Sequence, residues 1–365
     1  MSGIWGKNLK LSIFGESHGK GIGIVINGLP AGLELDFELI DKEMKRRLPG
    51  RDNISTKRKE SDSFEIISGY FNKNTTGTPL CVIIPNEDKK SQDYDKIREL
   101  LRPGHADYTG YMKYKGFSDY RGGGHFSGRL TAPLVFAGAI AKQILMKNNI
   151  VIGSHILSIG HVQDDYFDLA QVDINTINKI NTKEFPVINE EKGRKMIELI
   201  QEVKSEQDSI GGTIEAAILN LKAGIGDPFF DSVESKLSHL LFSIPGVKGV
   251  EFGRGFEITK LKGSQANDQY YIQNEEIKTY TNNNGGILGG ITNGMPVIFR
   301  VGIKPTPSIG LKQKTVNIKA MENVEIKIDG RHDPCIIPRA VPVVEAVSGL
   351  AVLDLIMEHG GNFIG

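Results

Sequence analysis

Histidine and arginine recur together on short glycine-rich turns spread along the whole chain. The turns are Gly15-Glu16-Ser17-His18-Gly19, Arg46-Arg47-Leu48-Pro49-Gly50-Arg51, Arg102-Pro103-Gly104-His105-Ala106-Asp107, Arg121-Gly122-Gly123-Gly124-His125-Phe126-Ser127-Gly128-Arg129 and Gly330-Arg331-His332-Asp333-Pro334. They contain most of the 13 arginines, although lysine, at 31, is the commoner base elsewhere. A solvated surface has no need of that choice. A site that grips phosphate or carboxylate does, because guanidinium offers a rigid fork of donors and keeps its charge. The pattern points to an enzyme for a small, multiply anionic substrate.

The histidines carry the next part of the reading. The turn Gly15–Gly19 directly follows the apolar run Leu11-Ser12-Ile13-Phe14, so His18 stands where a strand ends and a loop begins. Imidazole titrates near neutral pH, which suits a general acid, although a histidine bonded within a turn fits the same place. His105 stands beside Arg102, and a neighbouring cation or bound anion would retune its protonation. Asp107 reads as the N-cap of a helix over 108–115. Gly122-Gly123-Gly124 ahead of a helix at Ser127 suits an anion cradle or a tight structural turn. Asn284-Gly285-Gly286-Ile287-Leu288-Gly289-Gly290 is a second cradle candidate, and Lys304-Pro305-Thr306-Pro307-Ser308 is a rigid turn with one cation and two hydroxyls. No Walker A loop or GxGxxG fingerprint is present. Singly these features are weak; together they imply loops converging on one polar pocket.

Convergence needs a scaffold. Strand-like runs lie at 9–14, 23–27, 64–70, 80–84, 151–159, 213–221, 249–259, 295–303 and 324–328. Helical patterns cover 37–47, 93–101, 127–148, 191–206, 232–243 and 340–358, with Ser127 placed to cap the third and Pro342 in the first turn of the last. Strands and helices mix without regular alternation, so the fold class is α+β in a single domain over 1–365. Residues 163–190 are polar and read as an exposed insertion, and 265–284 as a long mobile loop.

Composition bounds the rest. Lys plus Arg and Asp plus Glu are both 44, so the formal charge is zero and a nucleic-acid partner is not expected. The apolar stretches at 130–146 and 340–357 are interrupted by Lys142, Glu345 and Asp354; they read as buried amphipathic helices, not membrane spans. Cys81 and Cys335 form no CxxC pair, so neither a metal site nor a disulfide is expected. Residues 1–7 carry no apolar signal region, and the cytoplasm is the expected compartment.

The turns match, in order, the signatures of a known family. Gly15–Gly19, Arg102–Asp107, Asp119-Tyr120-Arg121-Gly122-Gly123-Gly124, Gly285–Gly290 and Gly330-Arg331-His332-Asp333-Pro334-Cys335 resemble those of chorismate synthase, over about 8–357. The resemblance implies a β-α-β sandwich, helices packed between antiparallel sheets, and a homotetramer. It implies anti 1,4-elimination of phosphate from 5-enolpyruvylshikimate 3-phosphate, with reduced FMN required but no net redox change. His18 resembles the histidine that protonates the departing phosphate, and His105 the one that protonates reduced flavin. Asp333 resembles the aspartate that works with the flavin to remove the ring proton. Arg47, Arg51, Arg102, Arg129 and Arg339 are the substrate candidates, and Arg47 also matches a position contacting NADP. Flavin positions are His125, Phe126, Ser127, Pro245, Gly246, Gly289, Lys304, Pro305, Thr306, Pro307, Ser308 and Arg331. His125 replaces an arginine found in some members. No large insertion is present, which favours an external flavin reductant over NADPH. The competing readings are an NADPH-dependent flavin oxidoreductase and a non-catalytic flavin-binding protein.

Overall fold

Alternation along Gly21–Asn27 puts Ile22, Ile24 and Ile26 on one face, because successive strand residues point to opposite sides. Leu80, Val82 and Ile84 repeat the pattern on the adjacent antiparallel strand Leu80–Pro85, and all six side chains are buried. These strands centre a five-stranded sheet completed by Ile4–Trp5, Lys10–Gly15 and Glu65–Ser68. A second antiparallel sheet runs in the order Val247–Phe252, Val297–Ile303, Gly212–Leu219, Val151–Ile159, Val162–Gln163. The structure is a computed structural model and describes residues 3–48, 61–87, 94, 98–328 and 332–360. Arg51 and Arg331 lie outside the described residues, as do 93 and 95–97 of the helix expected over 93–101; the described end of that stretch is not helical, because a turn at 98–99 leads into a bridge between Leu100 and Asn317.

Two helices fill the space between the sheets. Thr131–Lys147 packs on the first sheet, Ile337–Glu358 on the second, and each on the other. This is the expected α+β sandwich with helices between antiparallel sheets. Both helices are buried on every face over most of their length, so they are not amphipathic. Their crossing depends on Gly138, where an added Cβ would collide with the side chain and backbone of Ala346. Gly138→Val is therefore expected to cost ~1–3 kcal/mol by overpacking. The urea midpoint reads this; an unchanged midpoint would mean the crossing has slack.

Several local expectations change. Ile337–Glu358 begins earlier than the pattern suggested, with Pro338 in its first turn, and Pro342 lies inside it. Ser127 caps a short 3-10 turn, Gly128–Leu130, that leads into Thr131–Lys147. The strand expected over 249–259 stops at Phe252, because Gly253 and Gly255 adopt positive φ and a 3-10 turn follows. The stretch 163–190 is anchored: Phe167, Ile177 and Ile180 form a small core with Ala217, Leu219 and Ile298. Within 265–284 the structure holds a hairpin, Tyr270–Gln273 with Glu276–Thr279. At its base the Asp268 carboxylate accepts from Thr281, Asn283 and Asn284.

Candidate active site

His18 is buried just beyond the strand Lys10–Gly15. The Ser17 N–H donates to Gly124 O at 3.1 Å, joining its turn to the triple-glycine turn. Gly122 makes the joint possible. A Cβ there would come within 2.7 Å of His18 Nε2 and 2.8 Å of Ser17 Oγ, and its φ is +63°. The Tyr94 ring meets the imidazole edge-on, with centroids 5.1 Å apart.

Arg47 comes from the last turn of Phe37–Arg47, and Arg129 from the turn ahead of Thr131–Lys147. Both are buried, and one carboxylate, Asp62, binds both: Arg47 Nη1 donates to Oδ2 at 2.7 Å and Arg129 Nη1 donates to Oδ1. Burial alone would raise the Asp62 pKa, but the charges of Arg47 and Arg129 outweigh it and hold it low. Burial pushes Arg47 down to about 10, with Arg339 and Arg129 adding to the effect and Asp62 opposing it. Arg47 stays charged at neutral pH.

Arg102 is gripped through its backbone N, Nε and Nη2 by Asp107, at 2.7–3.0 Å. Asp107 is therefore no N-cap; it opens the helix Asp107–Tyr114, which has no side-chain cap, and orients the arginine instead. His105 Nε2 lies 2.8 Å from Ser308 Oγ, and Lys304 Nζ donates to Gly104 O at 2.6 Å, so the two turns face each other. Arg339 Nη1 donates to Asp333 Oδ2 at 2.7 Å.

Burial first, then Arg102, pushes His105 down to about 4; Asp107 opposes, while Lys304 and His332 add to the effect. His105 is thus neutral at pH 7. Its folded value lies below the unfolded value near 6.5. Protonation then favours the unfolded chain, so its stability contribution is complete above about 6.5 and is lost as pH falls towards about 4. His105→Gln is expected to flatten that stretch of the stability curve, followed by urea midpoints from pH 7 to 4. A slope unchanged by the substitution would assign the pH dependence elsewhere.

These groups line one cavity of about 2370 Å³. His18, Arg47, Arg102, His105, Arg129, Asp333 and Arg339 are all on its wall. So are His125, Phe126, Ser127, Pro245, Gly246, Lys304, Pro305, Thr306, Pro307 and Ser308. Its described lining includes eleven Lys and Arg against five Asp and Glu, a local positive excess on a chain of zero net charge. Gly289 is not brought there. Its hairpin docks through Gly290 O on the N–H of Val233, at the start of Val233–Leu241, whereas His239 and Leu240 near the other end line the cavity. Val233 and the pair His239 and Leu240 are six to seven residues apart on this helix, roughly 10 Å. Arg46 turns away to Glu345. Sequence reasoning missed Asp62, Asn86, Tyr94 and Thr131. No glycine or arginine pattern marks Asp62, and only the position of Arg47 and Arg129 in space could reveal it.

Known proteins resemble the whole chain. The family described as chorismate synthase matches residues 9–357. A chorismate synthase of Dehalococcoides mccartyi is 45% identical over 367 residues, covering 99% of this chain and 98% of its own. One of Pyrococcus abyssi is 46% identical over 352 residues, covering 96% of each. A solved structure described as a crystal structure of chorismate synthase superposes with a TM-score of 0.77 at 30% identity, covering 98% of this chain and 94% of that one.

Proposed function

The chain belongs to the chorismate synthase family, and on that premise we propose how its cavity performs the elimination. The activity is that of a carbon–oxygen lyase, releasing phosphate from 5-enolpyruvylshikimate 3-phosphate to form chorismate. Two carboxylates and a phosphate on the substrate answer the positive excess of the wall. Arg47, Arg102, Arg129 and Arg339 bind those anions, and Arg51 belongs with them. Each described arginine is already oriented by a carboxylate: Asp62 for two, Asp107 and Asp333 for the others. Preorganised forks of this kind cost little reorganisation when charge shifts.

His18 donates the proton that the departing phosphate needs. Asp333, fixed by Arg339, takes the ring proton on the opposite side of the reaction. His105 shares its Nε2 with Ser308, and an anion bound beside it would draw a second proton onto the ring. The cavity is large enough for a cofactor as well as substrate, since drug-sized ligands occupy roughly 300–1,000 Å³. His125, Phe126 and Ser127, with Pro245, Gly246 and the turn 304–308, are the residues that hold FMN, together with Arg331. Held there, reduced FMN would supply electron density to the electron-poor allylic centre. The burial of Arg47 favours its substrate role over the NADP contact, in keeping with an external reductant for the flavin. The enzyme works in the cytoplasm as a homotetramer; Phe229 and Phe230, 85% and 92% exposed, support burial against a second copy.

The convergence of His18, His105, Asp333 and four arginines on one cavity carries this reading. The test is anaerobic: chain, dithionite-reduced FMN and 5-enolpyruvylshikimate 3-phosphate, with chorismate and phosphate followed together. Equal appearance of both is expected, with no net loss of reductant. Phosphate without chorismate would mark a phosphatase, oxidation of the reduced FMN in step with turnover an oxidoreductase, and bound flavin without product a binding protein.

A further inference from the structure

Asp62 stands on none of the glycine-rich turns and does not line the cavity, yet it touches two residues that do. Its side chain is wholly buried. The two guanidiniums it joins are also fixed from other directions. Arg47 Nε donates to Thr131 Oγ1 at 2.9 Å and Nη2 to Gly128 O at 3.1 Å. Arg129 Nε donates to Asn86 Oδ1 and Nη2 to Pro85 O, both at 3.1 Å. Asn86 in turn donates to Glu16 O and Gly19 O, on either side of His18. The network thus links two anion-binding forks to the turn that carries His18.

Two guanidiniums side by side in a poorly hydrated wall repel each other. A single carboxylate between them offsets that repulsion and leaves one net positive charge for the ligand. A bidentate fork is useful only at the right angle and spacing, which a shared carboxylate sets for both at once. Thr131 and Gly128 hold one side of Arg47, and Asn86 and Pro85 one side of Arg129. Among the described residues, Asp62 is the side chain that bonds to both.

We propose that Asp62 is a positioning residue for the elimination, holding the Arg47 and Arg129 forks at the spacing that grips one anionic group of the substrate. The proposal rests on the cavity being the site of that reaction. A buried ion pair that served stability alone would leave the turnover of a folded variant unchanged. Asp62→Glu separates the two roles, because it keeps the charge but adds one methylene between backbone and carboxylate.

The experiment measures kcat/KM for chorismate formation, with reduced FMN saturating, in the unsubstituted chain, Asp62→Glu, Arg129→Lys and the double variant. Displacing both forks by about 1 Å is expected to lower kcat/KM on the order of 10²-fold. In the Arg129→Lys background the further loss should shrink to about 3-fold or less, because one of the forks that Asp62 sets is already gone. Normal kcat/KM in folded Asp62→Glu overturns the proposal. So does an equal loss in both backgrounds, which would mean Asp62 does not act through Arg129. If Asp62→Glu does not fold, Asp62→Asn, which keeps the native shape but not the charge, carries the comparison of backgrounds alone: a loss that shrinks in Arg129→Lys supports the proposal and an equal loss overturns it. Absence of chorismate from the unsubstituted chain would refute the proposed function itself, and this inference with it.

Discussion

Replacing His18 by alanine is expected to lower kcat by roughly 10²–10⁴-fold, the range for a lost acid–base group. KM should change far less, because four arginines remain to bind the substrate's anions. The imidazole lies beyond the end of a strand, in a turn bonded to the triple-glycine turn, with Tyr94 against its edge. The ester dianion, leaving with the C–O bonding pair, departs as a phosphate trianion unless it is protonated, and no other histidine on the wall shares this turn. Gly122→Ala makes a companion test, since the added methyl would come within 2.7 Å of His18 Nε2 without removing any reacting group. Both variants should be assayed by single-turnover phosphate release with saturating reduced FMN. Near-normal release by His18→Ala would take the residue out of the mechanism.

Glu345→Gln is expected to destabilise the chain by about 3–5 kcal/mol, the scale for breaking a buried ion pair from one side. Glu345 lies in the middle of Ile337–Glu358 with no exposed surface. It accepts from Arg46 Nη1 at 2.6 Å and Nη2 at 2.9 Å, from Lys142 Nζ at 2.7 Å, and from both N and Oγ of Ser154. Glutamine would leave two buried cations with only Glu43 to balance them. Burial alone would raise the Glu345 pKa, but Arg46 and Lys142 outweigh it and draw it down to about 2. A folded value below the unfolded value gives stability that is present above about 4.5 and is lost as pH falls through about 2. That acid limb should be missing from the variant. Urea midpoints between pH 7 and 2 test both points; a loss under about 1 kcal/mol at pH 7 would mean the network relaxes around the amide. Arg46 precedes Arg47 in the same helical turn, so this stability also keeps an active-site arginine in place.

Much of the scaffold was legible. Helix 37–47 and strand 151–159 have the boundaries their apolar spacing suggested, because each forms its own periodic face. The glycine-rich turns were legible as loops converging on one pocket, and all but the Gly285–Gly290 segment have described residues lining the cavity. Less legible were stretches whose polar groups find partners far along the chain. Asp268 organises four hydrogen bonds at the base of a hairpin that composition alone presents as loop. His155, in an otherwise apolar strand, is buried between Asp164 and Glu215. Asp107 has the residue type and position of a helix cap, yet it spends its carboxylate on Arg102.

By itself the sequence determined most of the elements and the charge available to a pocket wall, since spacing dictates which residues share a face and guanidinium keeps its charge. Tertiary structure decided which arginine does what. Arg46 and Arg47 are chain neighbours about 100° apart around one helix. Arg46 meets Glu345 in the core and serves stability; Arg47 meets Asp62 at the cavity wall. The difference comes from the carboxylate that closes on each from a distant part of the chain, because a buried charge takes its role from the partner that balances it.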